Sequence, residues 1–74
     1  MYVITRVIKI TRSLNEKTVY EVEPTDIDGV TISHITETQS YPTLGDFVLI
    51  GRKDGVVPTI YHIINNGKYK EVIK

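Results

Sequence analysis

The two histidines of this chain are the residues best suited to acid–base or metal chemistry. His34 and His62 both fall in segments that the sequence predicts to be strands, so they could meet across a sheet as metal ligands or as an acid–base pair. Neither has a carboxylate or a cysteine at the spacing of a metal site. We therefore interpret them as surface or partly buried imidazoles, each with one hydrogen bond.

The common catalytic motifs are missing from the sequence. There is no G-x-S-x-G nucleophile elbow, no phosphate-binding loop, no G-x-G-x-x-G and no H-E-x-x-H zinc motif. The serines have no partner base that the sequence reveals, and the carboxylates are scattered. We expect a protein that is not an enzyme, with no catalytic residues and no metal or cofactor site.

One acidic segment invites comparison with a calcium loop. Residues 26–29 (Asp-Ile-Asp-Gly) are followed by Glu37 at the twelfth place, where such loops carry a bidentate glutamate. The glycine, however, stands at the fourth place instead of the sixth, and Val30 at the fifth place has no side-chain oxygen. The segment is better interpreted as a hairpin turn.

Charge is balanced overall but distributed unevenly along the chain. Nine basic residues cancel nine acidic ones, which argues against a non-specific nucleic-acid binder. The charged residues within 1–17 are nevertheless mostly basic, and those within 21–28 are all acidic. A candidate binding surface, in which tyrosines could stack on bases beside basic side chains, comprises Tyr2, Arg6, Arg52, Lys53, Tyr61, Lys68, Tyr69 and Lys70. A candidate acidic patch comprises Glu21, Glu23, Asp26 and Asp28.

The alternative interpretation of the candidate binding surface is that its residues have only a structural role. The tyrosines would then be core and rim residues, and the lysines would solvate edge strands and guard them against aggregation.

Composition favours a pleated sheet as the scaffold for these residues. Isoleucine and valine dominate the apolar residues, and the chain has no alanine. β-Branched side chains lose rotamer freedom in a helix but pack well on strands. The chain has no cysteine, so neither disulfides nor a thiolate metal site support the fold. We expect one small domain, residues 1–74, that depends on its hydrophobic core for stability.

The apolar pattern predicts five or six short strands. Residues 47–50 are apolar without a break, which predicts an interior strand with both faces covered. Imperfect alternation in the first strand indicates either that both of its faces are partly buried or that a bulge near Thr5-Arg6 swaps the faces, and we favour the bulge. Pro24 is expected to end the second strand, because proline cannot donate to the ladder. The predicted strands are residues 2–10, 17–23, 30–36, 44–52, 58–65 and 68–73, the last alternatively a short helix; turns are predicted at 13–16, 25–29, 54–55 and 65–67, and residues 37–43 as a loop or one helical turn.

This pattern predicts an all-β fold with at most a minor helical turn. The strand number and spacing are typical of a small five- to six-stranded antiparallel barrel, either OB-like or SH3-like.

The strand–turn–strand at residues 44–64 resembles a known family. The run Gly-Asp-Phe-Val-Leu-Ile at 45–50, followed by Asp54-Gly55 and Pro58, is similar to the corresponding segment of OB domains in bacteriophage baseplate-hub and spike proteins. This chain departs from that pattern at Tyr61-His62, where the family usually has aliphatic residues and a glycine. The resemblance implies a small viral or mobile-element β-barrel that scaffolds other proteins, and it carries over no catalytic residues.

The leading functional expectation is a non-enzymatic interaction or structural protein, phage- or virus-encoded, in the host cytoplasm or the virion. Its partner would be another protein, or a further copy of itself, joined through edge strands at residues 2–10 or 68–73. The alternatives are a single-stranded nucleic-acid-binding protein and a small inhibitor that presents residues 21–28 to a basic enzyme site. No apolar run approaches the roughly 20 residues that span a membrane, so no membrane association is expected.

Overall fold

The computed structural model describes residues 1–64 of the 74-residue chain. The predicted turn at 65–67, the predicted strand at 68–73 and the last residue of the strand predicted at 58–65 lie outside the described residues. Within residues 1–64 no helix is long and apolar enough to cross a membrane. The strands are β1 (Val3–Ser13), β2 (Glu16–Ile27), β3 (Val30–Ile35), β4 (Glu37–Thr38), β5 (Phe47–Lys53) and β6 (Val57–Ile63).

The all-β prediction is confirmed for the described part of the chain. The six strands form a single sheet in the order β3-β2-β1-β5-β6-β4. Strands β1, β2 and β3 follow one another as antiparallel hairpins, and β5 returns to lie beside β1, which is a Greek-key arrangement. The expectation of a purely antiparallel sheet is wrong at one pair, because β4 runs parallel to β6.

The sheet curls into a half-barrel that brings distant strands together. Strand β3 leads directly through Thr36 into β4, so one continuous stretch of chain passes from one end of the sheet order to the other. On one side, Lys17 of β2 forms an ion pair with Glu37 of β4. On the other side, Arg52 of β5 donates from Nη2 to the carbonyl oxygen of Ile27 at the end of β2 (3.3 Å).

Strand β1 changes partner along its length. Its first half, residues 3–6, pairs with β5, and its second half, residues 7–13, pairs with β2. The register shift lies between Val7 and Lys9, later than the predicted Thr5-Arg6. Val7 lies opposite Val22 of β2, and it also forms two 2.9 Å backbone hydrogen bonds, one with Gly45 and one with Asp46. The irregularity therefore comes after Val7 in the chain. The prediction that residues 2–10 form an edge strand is therefore wrong.

Two further strand boundaries differ from the prediction. Strand β2 continues through Pro24 to Ile27, because a register shift between Glu21 and Thr25 places the proline in an irregular part of the ladder. The polar segment predicted as a loop or helical turn begins instead with the two-residue strand β4.

The interior position predicted for residues 47–50 is confirmed, since β5 lies between β1 and β6. Val48 and Ile50 are fully buried, whereas Phe47 and Leu49 on the other face are only half-buried. The second face is therefore covered in part. The buried hydrophobic core consists of Val7, Tyr20, Val22, Ile27, Ile32, Ile35, Val48, Ile50 and Ile60.

A turn is confirmed at both predicted Asp-Gly pairs, but the first turn is shorter than the predicted residues 25–29, because β2 extends to Ile27. Asp28 and Gly29 have positive φ angles of 52° and 84°, which is the backbone of a type I′ turn joining β2 and β3. Asp54 and Gly55 likewise have φ of 55° and 72° between β5 and β6.

Candidate functional site

The outer side of strands β1, β5 and β6 carries a group of exposed or half-buried apolar side chains. On β1, Thr5 and Val7 face the core, so Ile4 points outward and lies directly opposite Leu49. Ile4 is 47% exposed and Tyr2 is 61% exposed, although both are large apolar residues. We call this group the outer apolar face; it consists of Tyr2, Ile4, Phe47, Leu49 and Tyr61.

A glycine makes room for an aromatic pair on this face. The rings of Tyr2 and Tyr61 meet edge to face, with centroids 5.4 Å apart and planes at 81°. A Cβ atom at Gly51 would lie only 2.6 Å from Cδ1 of Tyr2. The absence of a side chain at position 51 therefore leaves the space that the Tyr2 ring occupies beside Tyr61.

Arg6, which borders this face, is already engaged by its neighbours. The guanidinium carbon of Arg6 lies 5.3 Å from the ring centroid of Phe47, the residue directly opposite it on β5. Arg6 also donates from Nε to the carbonyl oxygen of Gly45 (3.1 Å). The Arg6 side chain therefore places a positive charge at the border of the outer apolar face.

The Gly45-Asp46 pair shapes the loop that borders this face. Gly45 has a positive φ of 88° and donates its N–H to Val7. The carboxylate of Asp46 accepts hydrogen bonds from the backbone N–H (2.8 Å) and the hydroxyl (3.1 Å) of Thr43. In this chain the two residues therefore hold a loop in place ahead of β5.

A cavity of about 250 Å³ continues the outer apolar face beyond Arg6. Ile8 and Leu44, which are 44% and 66% exposed, form apolar walls of this cavity. Arg6 and Glu23 supply one positive and one negative side chain at its lining. Exposed apolar side chains therefore lie on both sides of Arg6, Tyr2 and Ile4 on one side and Ile8 and Leu44 on the other.

A second cavity of about 270 Å³ lies between β2 and the segment that follows β3. Its lining includes the Lys17–Glu37 ion pair and Tyr41, which is 77% exposed. The hydrogen bond from Lys17, together with its positive charge, lowers the pKa of the Glu37 carboxyl below its ordinary value. The pair ties the two sides of the curled sheet together.

The predicted acidic patch lies along β2 and the turn that ends it. Glu23, Asp26 and Asp28 are exposed, and Glu21 is half-exposed with its carboxylate 3.6 Å from Nε2 of His34. The hydroxyl of Thr31 donates to Asp26 (2.8 Å).

The fold does not bring together the residues of either candidate metal site. The carboxylate of Glu37 is held by Lys17, away from the acidic turn at residues 26–29. His34 neighbours Glu21, whereas His62 lies opposite Leu49 on β5. Within residues 1–64 there is no group of three or more His, Cys, Asp or Glu side chains placed to hold a metal ion.

The predicted binding surface is divided by the fold. Tyr2, Arg6 and Tyr61 lie together on the outer side of β1, β5 and β6. Arg52 is half-buried and directed toward β2, and Lys53 is exposed at the end of β5. Lys68, Tyr69 and Lys70 lie outside the described residues.

Sequence reasoning missed the aliphatic part of this surface. The alternation of Ile4, Arg6 and Ile8 is the signal that could have found it, because a charged residue between two aliphatic ones marks a parity that faces water.

No protein-family model, no curated protein and no solved structure matches this chain.

Proposed function

We propose that this protein is a non-enzymatic protein-binding β-barrel that contacts its partner through the outer apolar face. The observation that carries the proposal is the exposure of Tyr2, Ile4, Ile8 and Leu44, on either side of Arg6, beside the half-buried Phe47 and Leu49. Single exposed apolar residues are ordinary, but a contiguous patch with a charged rim is typical of an interaction surface.

The residue types of this face suit binding. Tyrosine and arginine are enriched among the residues that contribute most to interfaces, because they combine large contact area with a polar group. The ring of Tyr2 is already packed on Tyr61, and Arg6 on Phe47, so little side-chain freedom remains to be lost on association.

The strand order supports an OB-type assignment as part of this proposal. Counting β3 and β4 as one bent strand yields a five-stranded, partly open Greek-key barrel, which is the OB arrangement. The viral origin that the sequence resemblance implied stays a prediction, and the identity of the neighbouring genes would test it.

Binding of single-stranded nucleic acid ranks below protein binding on electrostatic grounds. OB-type barrels bind oligonucleotides mainly across the face of their second and third strands. Here that face carries Glu21, Glu23 and Asp26, which would repel phosphates. Binding that falls steeply with salt in a fluorescence-anisotropy titration would reverse this ranking.

The test compares two exposed aliphatic positions in the full 74-residue chain. Ile4→Asp places a charge in the centre of the outer apolar face. Leu14→Asp makes a comparable change at the β1–β2 turn, where Leu14 is fully exposed and lies outside the face. Both variants and the native chain are immobilised and exposed to lysate of the cells in which the protein is made. Separate samples of the three chains in solution are checked for self-association by light scattering.

We expect a partner, or a second copy, that the native chain and the Leu14→Asp variant retain and the Ile4→Asp variant loses by at least tenfold. A native chain that stays monomeric and retains no protein contradicts the proposal. A partner that both variants bind equally well places the interface elsewhere and also contradicts it. Full-length chain is used because Ile64, the last described residue, donates its N–H to Phe47 and so adjoins this face.

A further inference from the structure

Strand β3 is the longer of the two strands that end the sheet order. In the described part of the chain its backbone pairs with β2 alone, although β3 also lies close to β6, with which the chain pairs after Thr36 through β4. Among residues 1–64, the opposite edge of the sheet is the two-residue strand β4. Short edge strands protect a sheet from further pairing, so within the described residues the edge left without a partner is that of β3, chiefly its first residues, which are farthest along the chain from β4.

The sequence of β3 lacks the usual protection of an edge strand. Natural sheets block their edges with lysine, proline or a bulge, or cover them with another segment. Residues 30–35 read Val-Thr-Ile-Ser-His-Ile, with no lysine, no proline and no glycine. Val30 is 50% exposed, and the β-branched residues of this strand favour an extended backbone. The strand is therefore suited to pair with one more strand.

The side chains of β2 indicate what sequence an additional strand paired with β3 would have. Asp26 lies directly opposite Thr31, and Glu21 lies directly opposite His34, so both carboxylates stand one strand in from the open edge on the outer face. Glu23 is exposed on the same strand. An added strand would lie about 10 Å from β2, two interstrand spacings, and a lysine or arginine side chain bridges most of that distance.

We propose that the edge of β3 binds an extended peptide segment of a partner protein, with basic residues at alternate positions, as an additional strand. Backbone hydrogen bonds to β3 supply affinity, and the carboxylates of β2 select basic side chains. This site is separate from the outer apolar face, so neither the Ile4→Asp nor the Leu14→Asp variant touches it, and the two proposals fail independently.

The test titrates the full-length, ¹⁵N-labelled chain with a capped eight-residue peptide that alternates lysine and valine. Two matched peptides serve as controls, one with glutamate in place of lysine and one with alternate backbone amides methylated. Two variants carry the same substitution at exposed threonines, Thr31→Lys on β3 and Thr11→Lys on β1.

We expect amide shift changes and slowed hydrogen exchange concentrated in β3, and binding that weakens several-fold when salt is raised from about 50 to 500 mM. Thr31→Lys should weaken binding, whereas Thr11→Lys should leave it within about twofold of the native value. The glutamate and N-methylated peptides should not bind. Shift changes confined to other strands, equal binding of the N-methylated peptide, or no binding of the lysine–valine peptide would each overturn the proposal.

Discussion

Replacing Thr5 by valine is expected to destabilise the protein, even though valine is the more apolar residue at a buried position. Thr5 is only 7% exposed, and its hydroxyl donates to the carbonyl oxygen of Glu23 over 2.7 Å. This bond lies next to the Val7–Val22 pair, where β1 leaves β2 for β5. The hydroxyl therefore replaces a backbone hydrogen bond at the point where the ladder between β1 and β2 stops.

The magnitude follows from two opposing terms. Removing the donor leaves a carbonyl without its partner, which costs about 1–3 kcal/mol, the lower end applying where water can reach the oxygen. The methyl group that takes the place of the hydroxyl contributes about 0.8 kcal/mol in favour of the variant. The net expectation is a loss of about 1 kcal/mol in the free energy of unfolding, which corresponds to a fall of roughly 4–8 °C in Tm for a domain of this size.

The assay is thermal and urea unfolding followed by circular dichroism, with Thr31→Val as the matched control. Thr31 is exposed, and its hydroxyl donates to the Asp26 carboxylate in contact with water, so its replacement should change stability by less than about 0.5 kcal/mol. A Thr5→Val variant that equals or exceeds the native chain in stability would refute the role assigned to this hydrogen bond.

Two further predictions concern a turn and an ion pair. Gly29→Ala should cost about 1 kcal/mol in a urea titration, because alanine is strained at a φ of 84° while its Cβ would meet nothing within 4 Å; an unchanged midpoint would contradict the type I′ turn. Lys17 lowers the pKa of Glu37, so the pair contributes stability above the carboxyl's ordinary pKa of 4.5, and this contribution is lost as pH falls through the lowered value. The free energy of unfolding should therefore fall less between about pH 6 and pH 3 for Glu37→Gln than for the native chain. Parallel plots of this free energy against pH would show that the pair contributes nothing.

The all-β fold class and the positions of the turns could be predicted from the conformational preferences of neighbouring residues. The excess of isoleucine and valine indicated a pleated sheet, and the Asp-Gly pairs at 28–29 and 54–55 lie where the chain reverses. Unbroken apolar character at residues 47–50 likewise predicted an interior strand. These features are readable because each depends on the conformational preferences of a few adjacent residues.

The errors concern contacts between residues far apart in the chain. The change of partner within β1 depends on hydrogen bonds between Val7 and the loop at 45–46, about forty residues away. The parallel pairing of β4 arises because the chain continues from β3 through Thr36 to the opposite end of the sheet order, where β4 lies beside β6. The continuation of β2 through Pro24 requires a register shift that only its neighbouring strand defines.

The candidate surface shows the same division. Local residue preferences were enough to indicate that strands would form, where they would turn, and that tyrosines, arginines and aliphatic residues would lie on them. The pairing of strands was needed to establish that Ile4 and Leu49 face outward as a pair while Thr5 and Val48 face the core. Side chains alternate with a period of two, so the register between strands and the position of one bulge determine which apolar residues are buried and which remain available to a partner.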